Sequence, residues 1–160
     1  SIIKKALKKF SGIQRRFTKV FSIDNRDFYD DYAHHPTEIR AVINSARQVY
    51  GDRKIICVFQ PHRYSRVKSL KKEFASSFKL SNEVLLCPVY AAGEKVDNNF
   101  SQDYFSQLIS RKSRTQVINV KNQNELKNFF KKNLFDDEMV ICMGAGSISN
   151  WIREIGNELK

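Results

Sequence analysis

The sequence predicts an α/β fold, a three-layer sandwich with helices on both faces of a mainly parallel, Rossmann-like sheet and an antiparallel element near the N-terminus. Three observations predict it. Short continuous apolar runs such as "IICVF" and "MVICM" recur along the chain, as strands do when both their faces are covered. Segments with apolar residues at helical spacing separate these runs. The alternation of the two calls for parallel neighbours joined by right-handed crossovers. With 160 residues, 41% of them hydrophobic, the chain has material for one core, and 1–160 reads as a single domain.

In chain order, 2–10 is helix-like and begins without Met, which suggests a natural chain that starts earlier. Between residues 12 and 32 the alternation in "RRFTKVFSI" and the turn signal "DNRD" predict strands joined by a tight turn. Pro36 suits a first helical turn, where its missing N–H costs nothing. Ile39, Val42, Ile43, Ala46 and Val49 or Tyr50 follow at helical spacing until "GDR" ends the helix. Strands are then expected at 54–59, 83–87, 116–120 and 139–143. Helices are expected at 64–78, 102–110, 125–133 and 148–159, and the long loop "PVYAAGEKVDNNF" precedes the second of these. No internal repeat or low-complexity segment interrupts the pattern.

Composition narrows the function classes. No run approaches the roughly 18 apolar residues that span a bilayer. "SIIKKALKKFSG" lacks the apolar stretch and cleavage site of a signal peptide, so a soluble, cytoplasmic protein with no membrane partner is expected. Cys57, Cys87 and Cys142 sit in apolar runs at spacings that match no zinc or redox template, and read as core residues in a reducing compartment. The net charge of +11, from 28 Lys and Arg against 17 Asp and Glu, implies an anionic partner or a solubilising surface. A basic nucleic-acid-binding module rests on that charge alone, because no Arg/Lys stripe with interleaved aromatic residues is evident, and no specific nucleic-acid partner is expected.

In a parallel sheet, ligands bind at the carboxyl ends of the strands, in the loops that enter the following helices. Those loops would be "DDYAHHP", "QPHRYSR", "PVYAAGE" and "GAGSIS", and the unusual polar residues cluster in them. His62, Arg63 and Arg66 of "QPHRYSR" would lie near a helix N-terminus, where free N–H groups already favour anions. They either snorkel into water or clamp a carboxylate or phosphate with their forked donors. "DDYAHHP" reads three ways. It is an incomplete metal site, since adjacent histidines point apart. It is a structural turn in which His34 or His35 caps the helix at Pro36 while Asp30 and Asp31 bind loop N–H groups. Or it is a ligand loop, with an acid for ribose hydroxyls and a histidine for an anion or a proton. No metal site is expected. "MGAGSIS" has G-x-G without a third glycine, since Ser149 stands in its place, and it closes the domain, so it reads as a close-approach turn and not as a dinucleotide fingerprint. No P-loop lysine motif or nucleophile elbow occurs, which leaves an anion-binding rim without a phosphate cradle.

"RRF", "DDYAHHPTEIRAV", "VFQPHRYSR", "YAAGE" and "GAGSI" occur in the order and spacing of the C-terminal domain of the Mur ligases. The chain resembles that family over nearly its whole length, and "DDYAHHPTE" with "QPHRYSR" resembles the branch that joins L-alanine to UDP-N-acetylmuramate. The related branch that recycles the murein tripeptide has a similar histidine loop, with a different sequence expected in place of "QPHRYSR". The resemblance implies a three-domain enzyme of peptidoglycan synthesis in which N-terminal UDP-sugar and central ATPase domains precede this one. ATP and Mg2+ would be bound mainly by the central domain, and the isolated domain would be inactive. It implies that Arg16, with Arg15 its alternative, reaches the ATP phosphates and that Asp31 contacts the ribose. Tyr32, His34 and His35 would line the cleft, the two histidines as candidate catalytic groups. His62, Arg63 and Arg66 would orient L-alanine and the sugar-linked carboxylate or phosphate. "SIS" after "GAG" departs from the family's Asp-Ile pattern, so no role is carried over to Ser147.

Overall fold

The computed structural model describes residues 15–134 and 136–160. The helix-like segment 2–10 lies outside them. Strands β1 (Thr18–Ile23) and β2 (Arg26–Asp31) form a hairpin whose turn holds Asp24 and Asn25 at φ of 51° and 61°, a left-handed conformation that Asn and Asp tolerate. Helix α1 (Pro36–Tyr50) follows, and then strand β3 (Ile55–Phe59) and the short helices α2 (Tyr64–Ser69) and α3 (Lys71–Ala75). Strand β4 (Glu83–Leu86), helix α4 (Gln102–Ser113), strand β5 (Gln116–Asn119), helix α5 (Gln123–Asn133), strand β6 (Met139–Met143) and helix α6 (Ile148–Leu159) complete the order.

The described strands form one sheet in the order β1-β2-β6-β3-β4-β5, antiparallel only between β1 and β2. Helices α1 to α4 cover one face, where Ile39, Ile43, Phe74, Phe105 and Ile109 meet Cys57, Phe59 and Ile141. Helices α5 and α6 cover the other, where Leu126, Phe130, Ile152 and Ile155 meet Phe28, Val58 and Val140. The expected three-layer α/β sandwich with its N-terminal antiparallel element is therefore the observed fold. Burial of each large apolar side chain contributes about 1.5–3 kcal/mol, and the central strands β3 and β6 are buried along their whole length.

One expected helix is broken. The segment 64–78 is interrupted at Leu70 (φ −117°, ψ 22°), which ends α2 and begins α3. Beside the break, Ser69 Oγ donates to the Ser65 carbonyl at 3.0 Å, and past Ala75 the Ser76 and Ser77 hydroxyls bond back to Lys72 and Glu73, where α3 ends short of the expected Phe78.

At the opposite end from the candidate loops, Arg53 ties the hairpin to β6. Its guanidinium donates to Asp27 at 2.7 Å, to the Asn25 carbonyl at 2.9 Å and to the Asp137 carbonyl at 2.9 Å. The register this helps to hold sets Asp31 against Met143 and Met143 against Phe59, while Phe59 faces Leu86. Four strands thus end level with one another, and the loops that leave them start side by side.

Candidate functional site

Backbone hydrogen bonds sew these loops together before any side chain is considered. Gly144 N–H donates to the Asp31 carbonyl at 3.2 Å, Gln60 N–H to Met143 at 3.0 Å, and Arg63 N–H to Tyr90 at 2.8 Å. Gln60 adds a side-chain link. Its Oε1 accepts from Ile148 N–H (3.0 Å) and its amide donates to Ser147 Oγ (2.9 Å), which fixes the start of α6 against the loop after β3. Gly144, at φ 158°, and Gly146 allow the approach. A Cβ on Gly146 would lie 2.5 Å from the Tyr90 ring, so only glycine lets that ring close over the turn.

The loop after β2 is held by its first acid. Asp31 accepts from Ala33 N–H and from Phe17 N–H, both at 2.8 Å. Burial nevertheless raises its carboxyl above the ordinary range, outweighing the two bonds. His34 Nδ1 lies 3.0 Å from the Tyr32 carbonyl and 3.6 Å from Glu38 Oε1. His35 occupies the N-cap position of α1, and Glu38 reaches back to its N–H at 3.0 Å. The structural reading of "DDYAHHP" is met in that Asp31 and His35 shape the turn, while Tyr32, two-fifths exposed, and His34 face the loop cluster.

The loop after β3 meets it there. His62 stacks on Tyr90 with centroids 5.6 Å apart, and His34 lies 6.0 Å from His62, so Tyr32, His34, His62 and Tyr90 form a row of four rings along the sheet's end. Arg66 Nη1 sits 3.1 Å from His62 Nδ1. Burial, followed by the charges of Arg66, His34 and Arg63, holds His62 below the usual imidazole range. Arg63 is exposed and adopts φ 69°, a conformation that a non-glycine residue holds only when its surroundings enforce it. Glu94 of "YAAGE" accepts from Ser65 N–H at 3.4 Å, and the Ser65 hydroxyl above all holds its carboxyl below the ordinary range.

The two adjacent arginines separate in role. Arg15 turns inward, donating to the Gly144 carbonyl at 2.6 Å and standing 5.1 Å over the Tyr32 ring, while Arg16 is exposed. Behind Arg15, the fully buried Asp30 accepts from Ser149 Oγ at 2.6 Å and from Arg153 at 2.7 Å. Among the described residues, Arg15 Nε and Asp30 Oδ1 are buried without a hydrogen-bond partner. The structure thus brings Tyr32, His34, His62 and Arg66 into contact, sets Asp31 and His35 beneath and beside them, and leaves Arg16 and Arg63 at the rim. Gln60, Tyr90 and the Asp30–Arg153 pair escaped the sequence reading. Only the position of Gln60 and Tyr90 in loops after buried strands could have signalled them. Among the described residues no group of three or more His, Cys, Asp or Glu could hold a metal ion, and no helix is long and apolar enough to cross a membrane.

Comparison with known proteins places the chain in a family. The family model described as "Mur ligase, glutamate ligase domain" matches residues 15–146. A UDP-N-acetylmuramate–L-alanine ligase of Pelagibacter ubique is 50% identical over 155 residues, covering 97% of this chain and 33% of the relative. Its counterpart from a Ruegeria species is 37% identical and covers 99% of this chain and 34% of the relative. The chain spans about a third of the length of the curated relatives it matches. Among solved structures, the UDP-N-acetylmuramate–alanine ligase of Thermotoga maritima superposes with a TM-score of 0.70 at 27% identity, covering 97% of this chain and 32% of that one. A murein peptide ligase of Psychrobacter arcticus also reaches 0.70, at 18% identity, over 96% of this chain and 32% of that one, and shows the same fold. Matched across most of its length, the chain belongs to the Mur ligase family and carries what that family's model describes as its glutamate ligase domain.

Proposed function

We propose that this chain is the C-terminal domain of a cytoplasmic, ATP-dependent ligase that joins L-alanine to UDP-N-acetylmuramate in peptidoglycan synthesis. The observation that carries the reading is the 50% identity, over nearly all of the chain, to a relative named for that reaction. In the proposed reaction the γ-phosphoryl group of ATP passes to the lactyl carboxylate of UDP-N-acetylmuramate, giving an acyl phosphate and ADP. The alanine amine attacks the acyl carbon, and phosphate leaves from the tetrahedral intermediate. Magnesium, held by the central domain, would offset phosphate charge during the first transfer.

The residues of this domain fit the remaining tasks. Arg16, exposed at the rim, is free to reach the ATP phosphates, and each Asp31 oxygen keeps a lone pair for a ribose hydroxyl after its backbone bond. Arg63 and Arg66 carry the forked donors that suit a carboxylate or phosphate, with His62 beside Arg66 and Tyr32 in the same row of rings. Closing this rim over the enzyme's other two domains would exclude the water that hydrolyses an acyl phosphate.

The test is alanine-dependent phosphate release with ATP, magnesium and UDP-N-acetylmuramate. The full-length enzyme, its Arg63→Ala and Arg66→Ala variants and this chain alone would be compared. The expected result is turnover by the full-length enzyme, a higher KM for alanine or lower kcat in the variants, and none in the isolated chain. Release that ignores alanine but responds to the murein tripeptide would instead assign the recycling ligase, whose fold superposes equally well.

A further inference from the structure

Resting on that reading, we propose that the hydrogen bonds within the loop cluster give the histidines opposite tautomers and so divide the chemistry between them: His34 Nε2 takes the proton from the attacking amine, and His62 Nε2–H is a fixed donor to a substrate oxygen. The assignment follows from what each Nδ1 touches. A backbone carbonyl can only accept, so His34 Nδ1, 3.0 Å from the Tyr32 carbonyl, carries the hydrogen. Glu38 Oε1, 3.6 Å from the same nitrogen, favours that hydrogen as well. The neutral ring then presents a bare lone pair at Nε2, which makes no hydrogen bond among the described residues. A guanidinium can only donate, so His62 Nδ1, 3.1 Å from Arg66 Nη1, must accept, and its hydrogen sits on Nε2.

The two rings lie 6.0 Å apart at 63°, close enough for one small ligand to touch both, and the His34 side chain is only 18% exposed. The surroundings keep the roles apart. Glu38, Tyr32 and His35 pack about His34, whereas Arg63, Arg66 and Tyr90 surround His62, with Glu94 the nearby acid. Burial, followed by the cations on that side, favours the uncharged form of His62, as its lowered pKa reflects. Among the described residues His35, the N-cap residue of α1, meets His34 edge-on at 5.6 Å and makes no ring contact with His62, so it stands outside the pair.

The step balances. The amine lone pair forms the C–N bond to the acyl carbon, the extra proton on nitrogen moves to His34 Nε2, and the C–O bond to phosphate breaks with its electron pair leaving on phosphate. His62 Nε2–H, as a positioning donor, would hold the alanine carboxylate or the acyl oxygen.

Two measurements test the division. In this chain, which has three histidines, long-range 1H–15N spectra of the imidazoles near pH 8 should report hydrogen on Nδ1 of His34 and on Nε2 of His62. The reverse tautomer at either ring would overturn the assignment, whatever reaction the enzyme performs. In the full-length enzyme, His34→Asn keeps an N–H for the Tyr32 carbonyl but has no base. It should lower kcat by about 10²- to 10⁴-fold, the usual contribution of a general base, and abolish the acid limb of the kcat profile. His62→Gln keeps an N–H donor and should raise the KM for alanine while retaining that limb. Turnover of His34→Asn equal to that of the unaltered enzyme, or loss of the acid limb in His62→Gln instead, would sink the division of roles. An unaltered enzyme with the expected tautomers but no response to alanine would overturn the functional reading and with it the step at His34.

Discussion

Tyr90, His62 and Gly146 form a stack in which the smallest residue sets the geometry. A Cβ on Gly146 would meet the near end of the Tyr90 ring, at Cγ, and not a flexible tip. Overpacking of this kind usually costs 1–3 kcal/mol. Tyr90 is two-fifths exposed and can swing outward, so Gly146→Ala should lose only about 1 kcal/mol in a urea titration. The stack should nonetheless be lost, and changed ring-proton shifts of His62 would report it. Unmoved His62 resonances would mean that Tyr90 does not orient that ring. The same histidine gives stability a pH dependence whose sign is fixed. Its folded pKa lies below the unfolded value of about 6.5, so the unfolded chain binds the proton more readily. Stability is therefore undiminished above about pH 6.5 and falls as pH drops from there through the folded pKa. His62→Gln should flatten that part of the curve of urea midpoint against pH, and an unchanged slope would remove His62 as its source.

Helix α6 shows how far an element's ends can depend on distant chain. Ser147 holds its N-cap position but accepts no capping bond; the side-chain amide oxygen Oε1 of the buried Gln60 takes the Ile148 N–H instead, from 88 residues away. Gln60→Ala should therefore act as loss of a helix cap, about 1 kcal/mol, and should also release the Ser147 hydroxyl from its tie to the β3 loop. A midpoint in urea that does not move would show that water replaces the amide without penalty. Such contacts explain what the sequence made legible. The strands could be read because β3 and β6 are buried on both faces and must be apolar throughout. The helix starts at Pro36 and Ile148 could be read because proline and the glycine turn punctuate the chain locally. The break at Leu70 could not, because Ser69, whose hydroxyl bonds back to the Ser65 carbonyl beside it, is equally compatible with an unbroken helix. In the site, the histidine and arginine loops were legible from their position after strands. Which of Arg15 and Arg16 turns inward was not, because both are arginine and the choice depends on Gly144 and Asp30, more than a hundred residues and fifteen residues away respectively.

Across the whole molecule, the +11 charge and the loop cluster are separate properties that predict different kinds of binding. The charge is spread over helices, with Lys71 and Lys72 on α3, Arg111 and Lys112 on α4, and Lys127, Lys131 and Lys132 on α5. The cluster is local, and part of its cationic character is already committed: Arg15 to Gly144 and Tyr32, and Arg66 to His62. A dispersed field attracts any polyanion by counterion release, which falls steeply with salt and ignores sequence. The chain should therefore bind an unrelated oligonucleotide weakly at about 50 mM salt and lose it by about 200 mM, with no preference between sequences. Fluorescence anisotropy across a salt series checks this. Removing the rim's own cations separates the two properties, because Arg63→Ala takes one charge from eleven and should barely change the salt slope, whereas alanine-dependent turnover of the full-length enzyme should suffer. Sequence-selective binding that survives 200 mM salt would contradict this separation and give the basic surface a nucleic-acid role of its own.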